Sequence, residues 1–434
     1  MKSKRIIALL LSLLLILSLV GCGIENAVSG GSDAICWLNY KPELDATLQT
    51  LAAKYTEKTG ISVKIITPES GTYSRTLQES LDAEDPPTMF VINTPADAEA
   101  FGGYAYDLAD TDIQKELDNT PATTVGSIYN AAGKLVGLPY CQECFGIAVN
   151  PDLLAPLNYT VEDIKNFDSL KEIAQVIHAN ASWLGYDAFC SLDLDAASSW
   201  RVTGHLANLE YVYEERDASS WGETPPTLTG AHLPDFKNLY DLIINNGVSA
   251  PESLAAGGHN PIEEFTSGKA AFLPAGSWDY ATLKAAVPNV TMIPYYCGVK
   301  GEEKAGLNCG TENYWAVNVK ASDAAQKSTL EFMYWLVTDE EASSALATQL
   351  GYLPYKHAAK SDNGFLTLAN QYIKEERYTM DWAMKYQPNR DVYRAGLVTA
   401  LTAYNADQSD KNWEAFKTAF VDDWAKLYVE LYNQ

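Results

Sequence analysis

What most constrains the fold of this chain is an alternation of short apolar runs with amphipathic helical stretches. Ala34 to Leu38 reads as a strand. Pro42 opens a helix in which Leu44, Leu48, Leu51 and Tyr55 share one face, Thr59-Gly60 closes it, and Val63-Lys64-Ile65-Ile66 is a second strand, completing a βαβ unit. Another helix ends over Gln78 to Asp82, Pro86-Pro87 stops it, and Met89-Phe90-Val91-Ile92 is a third buried strand. The alternation returns later as a helix near Pro261–Thr266, a strand Ala270–Pro274, a helix Tyr280–Ala286 and a strand Thr291–Pro294. This pattern predicts parallel sheets, two α/β lobes, and loops at the strand carboxyl ends open to a ligand. Near the C-terminus Trp413, Phe416, Phe420 and Trp424 fall on one helical face, which predicts a helix packed on a lobe.

At 434 residues the chain is long enough for two or three folding units, each with its own core. Its 47% hydrophobic and 20% charged residues are those of a globular protein, not of a disordered or coiled-coil one. The net charge is −25; without Lys2, Lys4 and Arg5, which lie in a segment expected to be removed, 28 basic residues face 56 acidic ones, a net of −28. A field of that sign repels phosphate backbones and anionic membranes and disfavours nucleic-acid binding. It suits a neutral or cationic ligand.

Residues 1–21 read as a secretory signal. Basic Lys2-Ser3-Lys4-Arg5 precedes an uncharged run from Ile6 to Val20, fifteen residues long and short of the roughly 20 that a membrane-spanning helix needs. Leu19-Val20-Gly21-Cys22 resembles the bacterial lipobox, which implies cleavage before Cys22 and its diacylation. Residues 22–33, Gly/Ser-rich and without periodicity, then form a flexible tether from the lipid to the folded body. The expected location is the extracytoplasmic face of the cell membrane.

Six further cysteines remain. Cys297 and Cys309 flank a Gly/Lys/Glu-rich hairpin-like stretch and are candidates for a disulfide in an exported protein. Cys141-Gln142-Glu143-Cys144 has redox spacing without a thioredoxin-like context and reads as wall cysteines. There is no HExxH, no GxSxG elbow, no Walker loop and no Rossmann glycine fingerprint, and no cofactor or metal is expected. Gly268-Lys269 reads as a turn before a strand, and Glu263-Glu264 and Glu302-Glu303 as solvated faces rather than a glycosidase couple. The aromatics stand out: Trp37, Tyr40, Tyr140, Trp278, Tyr314 and Trp382 lie where the βα reading puts loops. Flat rings can cover the C–H face of a sugar while amides and carboxylates take its hydroxyls.

Several motifs resemble, in order, those of family 1 extracellular solute-binding proteins, the receptors of ABC importers, and in particular the maltose-binding branch. They are the lipobox and tether, Trp37-Leu38-Asn39 before a helix ending Glu57-Lys58-Thr59-Gly60-Ile61-Ser62-Val63, and Leu138-Pro139-Tyr140 followed by Gly146-Ile147-Ala148-Val149-Asn150. Phe265-Thr266-Ser267-Gly268-Lys269-Ala270-Ala271-Phe272 with Gly276-Ser277-Trp278, then Gly310-Thr311-Glu312-Asn313-Tyr314-Trp315-Ala316-Val317-Asn318 and Gly351-Tyr352-Leu353-Pro354, continue the series. The resemblance implies an α/β, two-lobed, periplasmic-binding-protein-like class II fold with the ligand cleft between the lobes. It implies a first lobe of 34–141 and 315–357, a second of 146–309 and 360–434, and crossings at 142–145 and 310–314.

It further implies a receptor, not an enzyme, that captures a sugar or oligosaccharide by lobe closure and delivers it, as a monomer, to ABC permease subunits. Trp278 stands where relatives have a stacking Trp, and Glu143 matches an acidic residue at the first crossing that accepts sugar hydroxyls. Tyr40-Lys41 replaces an Asp-Lys pair, and Asn93 and Asp97 occupy the region of another sugar-contacting pair. Tyr140, Glu312, Asn313 and Trp382 complete the expected ligand-binding set. A polyamine or peptide cargo on the same fold, or a surface-anchored carbohydrate hydrolase, are the alternatives.

Overall fold

A computed structural model describes residues 31–118, 126–219 and 223–432. The expected signal peptide 1–21, the lipidation site Cys22 and the tether as far as residue 30 lie outside the described residues.

The βαβ start forms as its pattern requires. Strand β1 (Ile35–Leu38) leads through a turn of 3₁₀ helix, Pro42–Leu44, into the helix Asp45–Thr59. That helix buries Leu48, Leu51 and Tyr55 and ends on Gly60, whose φ of 78° is a left-handed cap, with its N–H donating to the Thr56 carbonyl. Strands β2 (Val63–Ile66) and β3 (Met89–Ile92) flank β1 in parallel. After β4 (Ile128–Tyr129) and β5 (Leu135–Pro139), the chain passes into a second sheet made of β6 (Glu143–Val149), β7 (Asp187–Phe189), β8 (Ala270–Gly276), β9 (Thr291–Ile293) and β10 (Ala305–Gly310). It returns to the first sheet as β11 (Tyr314–Val317), and β12 (Tyr378–Met380) closes the second.

The sheets are mixed, not parallel. In the first, with order β2-β1-β3-β11-β5-β4, β11 runs antiparallel between β3 and β5. In the second, with order β12-β10-β6-β8-β7, β6 is antiparallel to β8, β9 and β10. The reason is the return path: β11 re-enters from the second sheet, at the end where β5 left, and so must run against β3. Alternation along the sequence says nothing of such a re-entry.

Hydrophobic cores follow the sheets. One gathers Ile35 to Cys141 with Tyr314 to Tyr355. Two others gather residues between Cys144 and Leu307 with Phe365–Ala369 and Met380–Leu427. No residue is shared between the first core and the other two, which is the physical content of two lobes. The helix Asp410–Tyr432 buries Trp413, Phe416, Phe420 and Trp424 on the second lobe, with Phe420 stacked 5.1 Å from Tyr211. Strand pairing leaves 140–142 and Thr311–Asn313 as the two short links between the sheets, the long stretch from β11 to β12 being the third; Glu143–Phe145 and Gly310 are already laddered in β6 and β10. Gln142 is bridged to Tyr352, which brings the segment after the helix Glu340–Leu350 to the same place.

Cys309 stands opposite Cys144 on β10 and β6, not opposite Cys297, which is buried in a different core; in this structure each of the six described cysteines is a free thiol. Glu302 is not a solvated residue. It is buried and accepts hydrogen bonds from the N–H groups of Phe167 (2.6 Å), Cys297 (2.7 Å) and Gly298 (2.8 Å), so it ties a glycine turn to the second lobe.

Candidate functional site

The site is built where the two sheets face each other across the links. On the first lobe the loop after β1 is locked by Asn39, whose Nδ2 donates to the Lys41 carbonyl (2.7 Å) and whose Oδ1 accepts from the Lys41 N–H (3.1 Å). This throws the Lys41 ammonium across to the second lobe, 2.9 Å from Glu143 Oε1 and 5.5 Å from the centre of the Trp278 ring. Burial works against the lysine charge, but Glu143 and then Glu43 more than offset it, and Lys41 is held well above the usual lysine range. The other Glu143 oxygen accepts from Asn313 Nδ2 at 3.1 Å, and Asn313 Oδ1 accepts from the Tyr140 hydroxyl at 3.3 Å. Tyr140 itself is fully buried and stacked on Trp315 at 4.7 Å, so it positions Asn313 from behind.

Trp278 follows β8 on the 3₁₀ turn Ser277–Asp279. Its ring lies over Gly276, where a Cβ would come within 2.2 Å of the ring carbons; only glycine admits the ring there. Gly310 does the same for Trp382, with 2.7 Å from a Cβ to Cγ. The two rings meet edge to face at 6.4 Å. Trp200 (5.9 Å) and His205 (5.3 Å) complete the aromatic wall around Trp278. His205 is stacked flat on Phe145 at 4.1 Å, and burial, then the positive charges of Arg394, Arg201 and Lys41, push its pKa well below the usual histidine value.

A second polar cluster joins the lobes. Glu312, in the Thr311–Asn313 link, sits 3.7 Å from Arg390 and 3.9 Å from Arg394, both on the helix Arg390–Ala406 of the second lobe. The Arg390 guanidinium also faces the half-buried Tyr40 ring of the first lobe at 5.8 Å, and Tyr40 meets Tyr73 edge to face. Asn93 is buried, donating to the Glu312 carbonyl at 2.6 Å, and Asp97 accepts from the N–H groups of Asn93 and Thr94 at the start of the helix Pro95–Phe101. Glu312 Oε1, an Arg390 nitrogen, an Arg394 nitrogen and Trp382 Nε1 are buried without a hydrogen bond, so Glu312 and the two arginines meet as loose ion pairs and not in hydrogen-bonded contact.

The nine residues singled out from sequence thus converge, in three capacities. Trp278, Glu143, Tyr40 and Glu312 present groups between the lobes. Asn313 and Tyr140 hold Glu143, while Asn93 and Asp97 hold the link and the neighbouring loop. Trp382 is a buried wall. Trp37 and Tyr314 lie in strands and not loops, with Trp37 packed edge to face on Trp315 at 5.8 Å. Sequence reading missed Arg390, Arg394, Arg201 and His205, which come from helices without a motif. Arg201 and His205 sit on one wide π turn, Arg201–Leu206. A π turn marks functional sites often enough to be a signal, but it has no sequence signature here.

The fold and the site between its lobes define a two-lobed binding protein of the class II periplasmic type. The comparisons with known proteins agree. A model of the family described as bacterial extracellular solute-binding protein matches residues 50–385, and the chain belongs to that family. A maltotriose-binding protein of Pyrococcus abyssi (strain GE5 / Orsay) is 21% identical over 341 residues, which cover 76% of this chain and 68% of that protein. Among solved structures, the solute-binding protein RafE in complex with raffinose superposes with a TM-score of 0.68 at 18% identity, covering 92% of this chain and 99% of that one. The GacH receptor of Streptomyces glaucescens GLA.O gives 0.66 at 18% identity, with 91% and 98% covered.

Proposed function

We propose that the protein is the solute receptor of an ABC importer, capturing a sugar or oligosaccharide by lobe closure and handing it to membrane permease subunits, without catalysis. The observation that carries this reading is the set Lys41, Glu143 and Asn313 beside the Trp278 ring: charged donors and acceptors next to an aromatic plate, contributed by both lobes. The names of its relatives support the cargo class, since they bind maltotriose, raffinose and acarbose. The lobes would comprise 34–141 with 315–357 and 146–309 with 360–434, turning about the crossings at 142–145 and 310–314. Cys22 would anchor a monomeric receptor to the outer face of the membrane.

A polyamine fits less well than net charge alone suggests. A polyamine needs free carboxylates, and those of the site already face cations: Glu143 is paired with Lys41, and Glu312 with Arg390 and Arg394.

Thermal unfolding against a panel of oligosaccharides, polyamines and short peptides tests the reading. A ligand at about a hundred times its dissociation constant adds about 2.7 kcal/mol and raises the midpoint. A rise with one sugar class and no product formed is expected. A rise with polyamines or peptides alone would overturn the sugar assignment.

A further inference from the structure

β6 and β10 are the second-sheet strands nearest the links: β6 begins directly after 140–142, and β10 ends directly before Thr311–Asn313. Their outermost rung pairs Glu143 with Gly310, and the next pairs Cys144 with Cys309. The Cys144 N–H donates to Ser277 Oγ at 3.1 Å, on the β8 side of the strand. In an antiparallel ladder a residue's N–H and C=O point the same way, so Cys144 turns both groups away from β10 and makes a non-hydrogen-bonded pair with Cys309. At such pairs the Cα atoms lie about 4.5 Å apart, inside the roughly 4.4–6.8 Å that a disulfide spans. Both side chains leave the sheet on one face: Cys144 belongs to the core of Ala148, Leu273 and Leu307, and Cys309 packs against that core.

Of the other cysteines, Cys36 lies on β1 of the first lobe, and Cys190, though in the core of Cys144, follows β7, two strands away from β6. Cys141 Sγ accepts from Asn313 Nδ2 at 3.6 Å beside Glu143, and Cys297 lies in the larger core of the second lobe. We propose that Cys144 and Cys309 are a disulfide site, which in an oxidising compartment staples β6 to β10 at the root of both links. Two S–H bonds break and one S–S bond forms; the two protons and two electrons pass to a small disulfide oxidant, RSSR, which leaves as two RSH by thiol–disulfide exchange. Burial pushes the Cys309 thiol up to about 12 and Cys144 well above its ordinary value, so thiolate is scarce once the lobe has folded. The bond therefore forms as the strands pair, and resists reduction afterwards.

The test is a peptide map of the full chain refolded from guanidinium in oxidised and reduced glutathione, alkylated with iodoacetamide and digested without reduction. Trypsin cuts after Lys134, Lys165, Lys304 and Lys320, placing Cys144 with Cys141 in 135–165 and Cys309 in 305–320. The expected result is these two peptides joined, with fragment ions assigning the bond to Cys144, and their separation by dithiothreitol. Refolding in dithiothreitol instead of the glutathione mixture should also lower the unfolding midpoint by several degrees, an effect lost in Cys309→Ser, a position only half-buried. Alkylated Cys144 and Cys309, a bond from Cys309 to Cys141 or Cys297, or a dithiothreitol effect retained in Cys309→Ser would each overturn the proposal.

Discussion

Lys41 Nζ and Glu143 Oε1, 102 residues apart in the chain, stand 2.9 Å apart across the join of the two lobes, and both side chains are almost wholly buried. Removing one member of a buried pair leaves the other uncompensated, at about 3–5 kcal/mol, whereas replacing both is far cheaper. Lys41→Met and Glu143→Gln should each lower the unfolding midpoint markedly, and the double variant should recover much of the loss. Additive losses in a double-mutant cycle would mean that the two residues do not act as a pair.

Trp278 is the aromatic plate of the proposed sugar site. Trp278→Ala should weaken sugar binding at least tenfold, about 1.4 kcal/mol or more, while leaving circular dichroism unchanged. Titration calorimetry decides, and unaltered affinity would remove the ring from the ligand.

Gly276 is tested by a single methyl group. Because a Cβ would fall 2.2 Å from the Trp278 ring, Gly276→Ala must displace the ring. A cost of about 1–3 kcal/mol in stability is expected, together with the binding loss of Trp278→Ala. A variant that binds as well as the parent would show that the ring can move without consequence.

His205 makes stability depend on acid. Its folded-state pKa lies well below the ordinary value of about 6.5, so below that pH the unfolded chain takes up a proton that the folded chain refuses. The stabilisation is whole above about 6.5 and is lost as pH falls from there through the folded value, at up to about 1.4 kcal/mol per pH unit. Denaturant unfolding between pH 7 and 5 should show a steeper acid limb in the parent than in His205→Gln; parallel limbs would assign the loss to other groups.

How much of this was legible beforehand depends on the range of the interaction that decides it. The helix Asp45–Thr59, the Gly60 cap, β3, and the run of elements from Pro261 to Ile293 are written in periodicity and turn residues, because local hydrogen bonding and one apolar face decide them. The two-lobed architecture was legible from the order of motifs. The packing of Trp413, Phe416, Phe420 and Trp424 was legible from helical spacing.

Other features belong to tertiary structure alone. β11 runs antiparallel because the chain re-enters the first sheet from the second, and Tyr140 and Trp382 turn inward because Trp315 and Gly310 wait for them. The partners of Glu312 come from a helix nearly eighty residues downstream, and that of Cys144 from a strand 165 residues on. The sequence by itself determined which segments become helix or strand and which rings and carboxylates are on offer. Only the tertiary structure decided which of them face one another, since charges and rings interact through a few ångströms of space whatever the length of chain between them.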